Sequence, residues 1–247
     1  MNRNRTGLAL AAFALAAHAG TARAQQLPPA RQIVDRYVEA VGGRAAIAQL
    51  DSRHMVGEMQ GPRLTVQVES FAARPNRFVV VMIIDGATIT TGYDGQVGWQ
   101  VLPTTGPRRV VDAMELRQLL DNAQFDRNLD PAAGSTSMTT VGERTVAGRA
   151  CWEVKIVRAR GVESTHCYDK ETGLLIGTRS KEGSRMGEVD VDAVILDYRD
   201  FGGVKLPTRI VTTLMGQQWV TTFRTVSHEP IPASRFEPPA AVRASQP

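Results

Sequence analysis

Cys151 and Cys167 are the residues of this chain best spaced for covalent chemistry. The sequence between them reads as two short strands around a turn near Ala159, which sets Cys151 opposite Cys167 and Glu153 opposite Thr165. Facing antiparallel residues have Cα atoms about 4.5–5.5 Å apart, inside the span that a disulfide accepts. The spacing therefore predicts a disulfide. Two free buried thiols are one alternative. A metal site of Cys151, His166 and Cys167 is another, but His166 and Cys167 are neighbours on a strand and point to opposite faces.

Other residues invite catalysis less. Glu188, Asp190 and Asp192 share one face of a predicted strand, as a calcium or acid–base site would need, yet Val189, Val191 and Ala193 on the other face fit a strand with one solvated side. His54, His166 and His228 have no metal-pair spacing. No nucleophile elbow, zinc-protease, P-loop or dinucleotide-binding pattern occurs. The expectation is a protein without catalytic residues, metal or cofactor, and a hydrolase is only a lesser alternative.

The elements that would position these residues are mostly strands. Ile33, Val34, Tyr37, Val38 and Val41 recur at helical spacing before Gly42-Gly43, and Arg44 to Leu50 forms a second short helix. From Ser52 the period changes to two. Strands are predicted over 63–69, 78–84, 88–93 and 97–102, with Asp85-Gly86 and Asp94-Gly95 as hairpin turns. One helix interrupts the series between Val111 and Phe125, with Asp112 and Glu115 as a capping pair. Strands resume over 139–146, 151–157, 162–168, 174–181, 186–198, 204–215 and 218–227. This is a mainly β (α+β) chain of ten to twelve antiparallel strands. So many hairpins accumulate twist and curl, leaving the helices to cover the concave face.

The N-terminus decides where the protein works. Arg3 and Arg5 precede an apolar run from Leu8 to Ala17, and Ala22-Arg23-Ala24 supplies the small residues of a cleavage site. The run is too short to span a bilayer, so residues 1–24 read as a signal peptide cut after Ala24, with the periplasm as destination. Removing Arg3, Arg5 and Arg23 takes Lys plus Arg from 29 to 26 against 25 acidic residues, a mature charge of +1. No basic stripe remains to follow a phosphate backbone, so nucleic acid is excluded as a partner. Residues 25–229 are expected as one sheet domain and 230–247 as a Pro-rich tail, an extended strap and then disorder.

Several segments carry a resemblance. They are Tyr37-Val-Glu-Ala-Val-Gly-Gly43, Arg74-Pro-Asn-Arg-Phe78, Tyr93-Asp-Gly95 with Gly98-Trp99, Tyr168-Asp-Lys-Glu-Thr-Gly-Leu-Leu175 and Asp197-Tyr-Arg-Asp-Phe-Gly-Gly-Val-Lys-Leu-Pro207. In this order, behind a signal peptide, the chain resembles the periplasmic outer-membrane lipoprotein carrier superfamily, the LolA/LolB-like proteins. The resemblance implies an eleven-stranded half-barrel with a helical lid and an apolar concave face that holds acyl chains. It implies a soluble periplasmic carrier for a lipid, a lipoprotein acyl chain or a similar apolar ligand. A sensor or protein-interaction module with an envelope protein partner is the alternative. Leu64, Val66, Phe78, Met82, Trp99, Trp152 and Trp219 are then candidate cavity walls; the same residue types would serve equally well in a packed core.

Overall fold

The computed structural model describes residues 26–184 and 187–244. The expected cleavage site after Ala24 lies outside the described residues. Helices α1 (Ala30–Ala40) and α2 (Gly43–Ala48) lead into β1 (Ser52–Gln60), β2 (Thr65–Ala73), β3 (Arg77–Ile84), β4 (Ala87–Tyr93), β5 (Gly98–Leu102) and β6 (Gly106–Arg109). Helix α3 (Ala113–Asn122) separates these from β7 (Ser135–Val146), β8 (Arg149–Arg158), β9 (Glu163–Asp169) and β10 (Leu175–Ser184). Strands β11 (Gly187–Phe201), β12 (Val204–Leu214) and β13 (Gln217–Ser227) follow, and α4 (Ala240–Ala244) comes last.

All thirteen strands form one antiparallel sheet in the order β6-β5-β4-β3-β2-β1-β13-β12-β11-β10-β9-β8-β7. Strand β13 returns to pair with β1, so the two chain halves meet in mid-sheet. The sheet does not close, because β6 and β7 remain its edges. Local chemistry sets the hairpins and the helix as expected. Asp85 and Gly86 both take positive φ, the backbone a two-residue hairpin turn requires. The Asp112 carboxylate accepts from the Met114 and Glu115 amides at 3.0 and 2.9 Å, capping α3.

Curvature is visible in the core. Val34, Tyr37 and Val38 of α1 share one buried cluster with Ala72 on β2, Val154 and Ile156 on β8, Tyr168 on β9, Ile195 on β11 and Leu206 on β12. Strands so far apart in order meet one helix only because the sheet wraps around it. On the other half, Leu119 and Ala123 of α3 pack on Tyr93 and Val110. Each fully buried Val or Leu side chain contributes about 1.5–3 kcal/mol, so this layer is a major source of stability.

Four expectations differ from the structure. The half-barrel has thirteen strands rather than eleven; β6 was not expected, because its sequence Gly-Pro-Arg-Arg has no apolar alternation. Its place at the sheet edge is what makes Pro107 tolerable. The β8–β9 hairpin does contain the disulfide Cys151–Cys167, with Cα atoms 5.4 Å apart. Its register is different, though: Glu153 faces Cys167, Cys151 faces Asp169, and Thr165 faces Lys155. The turn is a 3-10 element, Ala159–Gly161, closed by Arg158 N–H donating to Val162 C=O, and this moves its centre to Arg160. A one-residue displacement of the centre shifts each partner by two, which preserves faces, so the sulfurs still meet diagonally.

The interior under α1 is filled by that core rather than left as a cavity. The C-terminal segment is also packed as far as Val242 rather than passing from a strap into disorder. Phe236, in a 3-10 turn (Ala233–Phe236), and Val242 of α4 are buried against Phe71, Val79 and Trp99.

Candidate functional site

Phe78 packs with both helix-covered clusters, which identifies the concave face of β3. Period two then places Val80, Met82 and Ile84 on that face. Direct partners across the ladders share it: Val68 and Val66 on β2, Ile89 on β4, and Met59 on β1. Thr221 of β13 faces Met59, and Trp219 lies two residues further on. A Cβ on Gly61 would sit 2.4 Å from the Trp219 ring, so glycine there lets the indole lie across the β1–β2 turn. Met59, Val68, Val80, Met82, Ile89 and Trp219 are half-buried, and none belongs to a packed cluster among the described residues. Beyond the helices, the concave face is therefore an apolar trough.

The sequence-predicted wall residues separate accordingly. Val66, Phe78, Met82 and Trp219 lie on the concave face, with Val66 buried and Phe78 under the helices. Trp152 faces Tyr168 and borders the α1 core, with the Lys170 ammonium 3.7 Å from its ring centroid. Leu64 is half-buried in the β1–β2 connection, where its carbonyl accepts from Gly61 N–H. Trp99 lies on the opposite, convex face. Its neighbour Gly98 is the inward residue, and a Cβ there would come within 2.8 Å of Leu119 on α3. The Trp99 indole N–H instead donates to Phe236 C=O at 3.3 Å under the C-terminal segment.

The other tempting groups have structural roles. Glu188, Asp190 and Asp192 are exposed, with Asp190 and Asp192 opposite Lys181 and Arg179. His54 stacks on Phe71 and lies 2.8 Å from the Glu69 carboxylate, and His228 Nδ1 lies 3.0 Å from the Ser52 carbonyl. No cluster of potential metal ligands occurs among the described residues.

Sequence reasoning missed a polar network beneath α3. Ser164, His166 and Tyr168 are spaced two apart on β9, so they share the concave face. Arg158 Nη1 donates to Ser164 Oγ at 3.2 Å; Ser164 Oγ is 3.0 Å from His166 Nε2, and His166 Nδ1 is 3.1 Å from Tyr168 OH. Burial, aided by the Arg158 and Arg127 charges, pushes His166 down to about 3, so its ring is neutral. Buried Asp121 holds Arg127 at 3.2 Å and Arg158 at 3.7 Å. The period-two row of Ser164, His166 and Tyr168 was the available signal.

Above this network a cleft of about 600 Å³ opens between α3 and the ends of β8–β11. Arg117 and Gln118 of α3, Ser164 of β9, and Ser180 and Lys181 of β10 contribute to its lining, so it is polar where the trough is apolar.

By sequence, the chain matches no family model and no curated protein. By structure it is similar to a DUF1329 family protein from Desulfovibrio piger, with 15% identity, a TM-score of 0.59, and coverage of 85% of this chain and 98% of that one. It is also similar to a LolA superfamily protein from Nitrosomonas europaea, at 13% identity and TM-score 0.55 over 85% of this chain and 98% of that one. The fold is that of the LolA superfamily. A third match, at 10% identity and TM-score 0.55, covers 80% of this chain and 92% of a Vibrio parahaemolyticus domain named for outer membrane lipoprotein sorting.

Proposed function

We infer that this chain is a non-enzymatic periplasmic carrier that shields an apolar ligand, such as an acyl chain, on the concave face of its LolA-like sheet. The supporting observation is the row of half-buried apolar residues from Met59 to Ile89 and Trp219, which the helices leave unpacked. Each methylene removed from water there contributes about 0.8 kcal/mol, so a long chain binds without any chemistry. The name of the Vibrio domain agrees with such a cargo, and the signal-like N-terminus agrees with export.

Binding of a fluorescent fatty-acyl probe to the mature protein tests the reading. Met82→Glu puts a charge in the trough and should abolish binding. Ile83→Glu, on the adjacent, outward-facing and exposed position, should leave it intact. A folded wild type that binds no probe overturns the carrier function.

A further inference from the structure

The polar cleft beside α3 is not explained by shielding of an apolar chain, yet its Ser164 and Ser180 lie on the same face as the trough. Ser164 faces Ser180 across β9 and β10, Ser180 faces Val191, and Val191 faces Leu214 on β12. The neighbouring row runs Thr178–Ala193–Thr212–Trp219. The cleft hydroxyls on β10 and the Trp219 indole on β13 are thus three strand spacings apart, about 14 Å along the sheet. A single amphiphile with a flexible chain spans that distance.

The charges in the cleft select the sign of the head group. Beneath Ser164, buried Asp121 pairs with both Arg127 and Arg158, and the neutral His166 ring adds no charge. Arg158 is itself 2% exposed and reaches the cleft through its hydrogen bond to Ser164 Oγ. In the wall, Lys155 is matched by Glu163 at 2.7 Å and Arg179 by Glu153 at 2.6 Å. Arg117 lines the same cleft with no carboxylate partner among the described residues. Glu188 and Asp190, both exposed residues, line the cleft as well, with Asp190 opposite Lys181.

We propose that the cargo is an amphiphile with an anionic head, a phosphate or a carboxylate, held by Arg117 and Ser164 while its chain lies in the trough. This rests on the carrier reading and adds the head-group class to it. The anion would accept from the Arg117 guanidinium and the cleft hydroxyls, and a lining with Arg117, Lys155, Arg179 and Lys181 against Glu163, Glu188 and Asp190 favours it over a neutral head.

Competition against a bound fluorescent fatty-acyl probe tests this on the mature protein. Three competitors of equal chain length are used: a monoacyl phosphoglycerol, a fatty acid and a neutral monoacylglycerol. At least one anion should displace the probe at about tenfold lower concentration than the neutral lipid, and the stronger anion identifies phosphate or carboxylate as the head. Arg117→Gln should bring the anion-to-neutral ratio close to one, and Arg117→Lys should retain most of it; thermal melts of both variants verify folding. Equal displacement by all three lipids overturns the anionic head while the carrier reading stands, as does an unchanged ratio in Arg117→Gln. A wild type that binds no probe overturns both.

Discussion

Arg74 grips Asp126 with both terminal nitrogens of its guanidinium, Nη2 to Oδ1 at 2.7 Å and Nη1 to Oδ2. The same side chain donates to the Leu50 and Ile47 carbonyls at 2.6 and 3.0 Å, and lies over the Phe125 ring. One residue between β2 and β3 thus fastens α2 and the segment after α3 to the sheet. Arg74→Ala leaves these partly buried acceptors without their donor and should lower stability by about 2–4 kcal/mol. Arg74→Lys keeps the charge but not the planar fork and should recover only part of that. Urea unfolding midpoints at unchanged m-value check both.

The Cys151–Cys167 disulfide staples the β8–β9 hairpin diagonally and is buried on the convex side with Val146 and Ile176. Closing a loop of this length constrains the unfolded chain, so the Cys151→Ala/Cys167→Ala double variant should lose about 3 kcal/mol. Acyl-probe binding should persist in the folded variant, because the trough lies on the other face. Loss of binding without loss of stability would contradict that placement.

Sequence pattern was most legible where one rule acted alone. Asp85-Gly86 has no competing reading as a turn, and Asp112 no better role than a cap. It was least legible where both faces of a strand are apolar. Strands β2 to β5 bury Phe78 inward and Val79 outward, so period two shows alternation without saying which side is the interior. Gly98 is silent for the same reason: only Leu119, far along the chain, reveals why the inward residue on β5 must be small. The covering of the convex face depends on Phe236 and Val242, in a Pro-rich segment whose composition suggests disorder.

His166 makes acid sensitivity a specific expectation. Its folded value of about 3 lies below the ordinary 6.5, so the unfolded chain binds more protons between these limits. Stability is therefore full above pH 6.5 and falls as the pH drops toward 3, by roughly 1.4 kcal/mol per unit for this one group. His166→Gln removes the titrating ring while offering polar atoms to Ser164 and Tyr168. Its unfolding free energy should depend less on pH than the wild type's between pH 6 and 4.5. Equal slopes would show that His166 is accessible to protons in the folded protein.

Trp99 separates stability from binding. Its side chain is buried on the convex face under Phe236 and Val242, and a Trp→Ala change at such a site costs about 3–5 kcal/mol. The cavity also removes the seat of the C-terminal segment and the donor to Phe236 C=O, so residues beyond Glu229 should become cleavable by protease at conditions where the sheet is intact. Phe236→Ala should reproduce that cleavage from the other side of the contact. Neither change touches the concave face, so folded Trp99→Ala should still bind the fatty-acyl probe, in contrast to Met82→Glu. A folded Trp99→Ala that fails to bind would make Trp99 part of the ligand wall and would require the trough to reach the convex side.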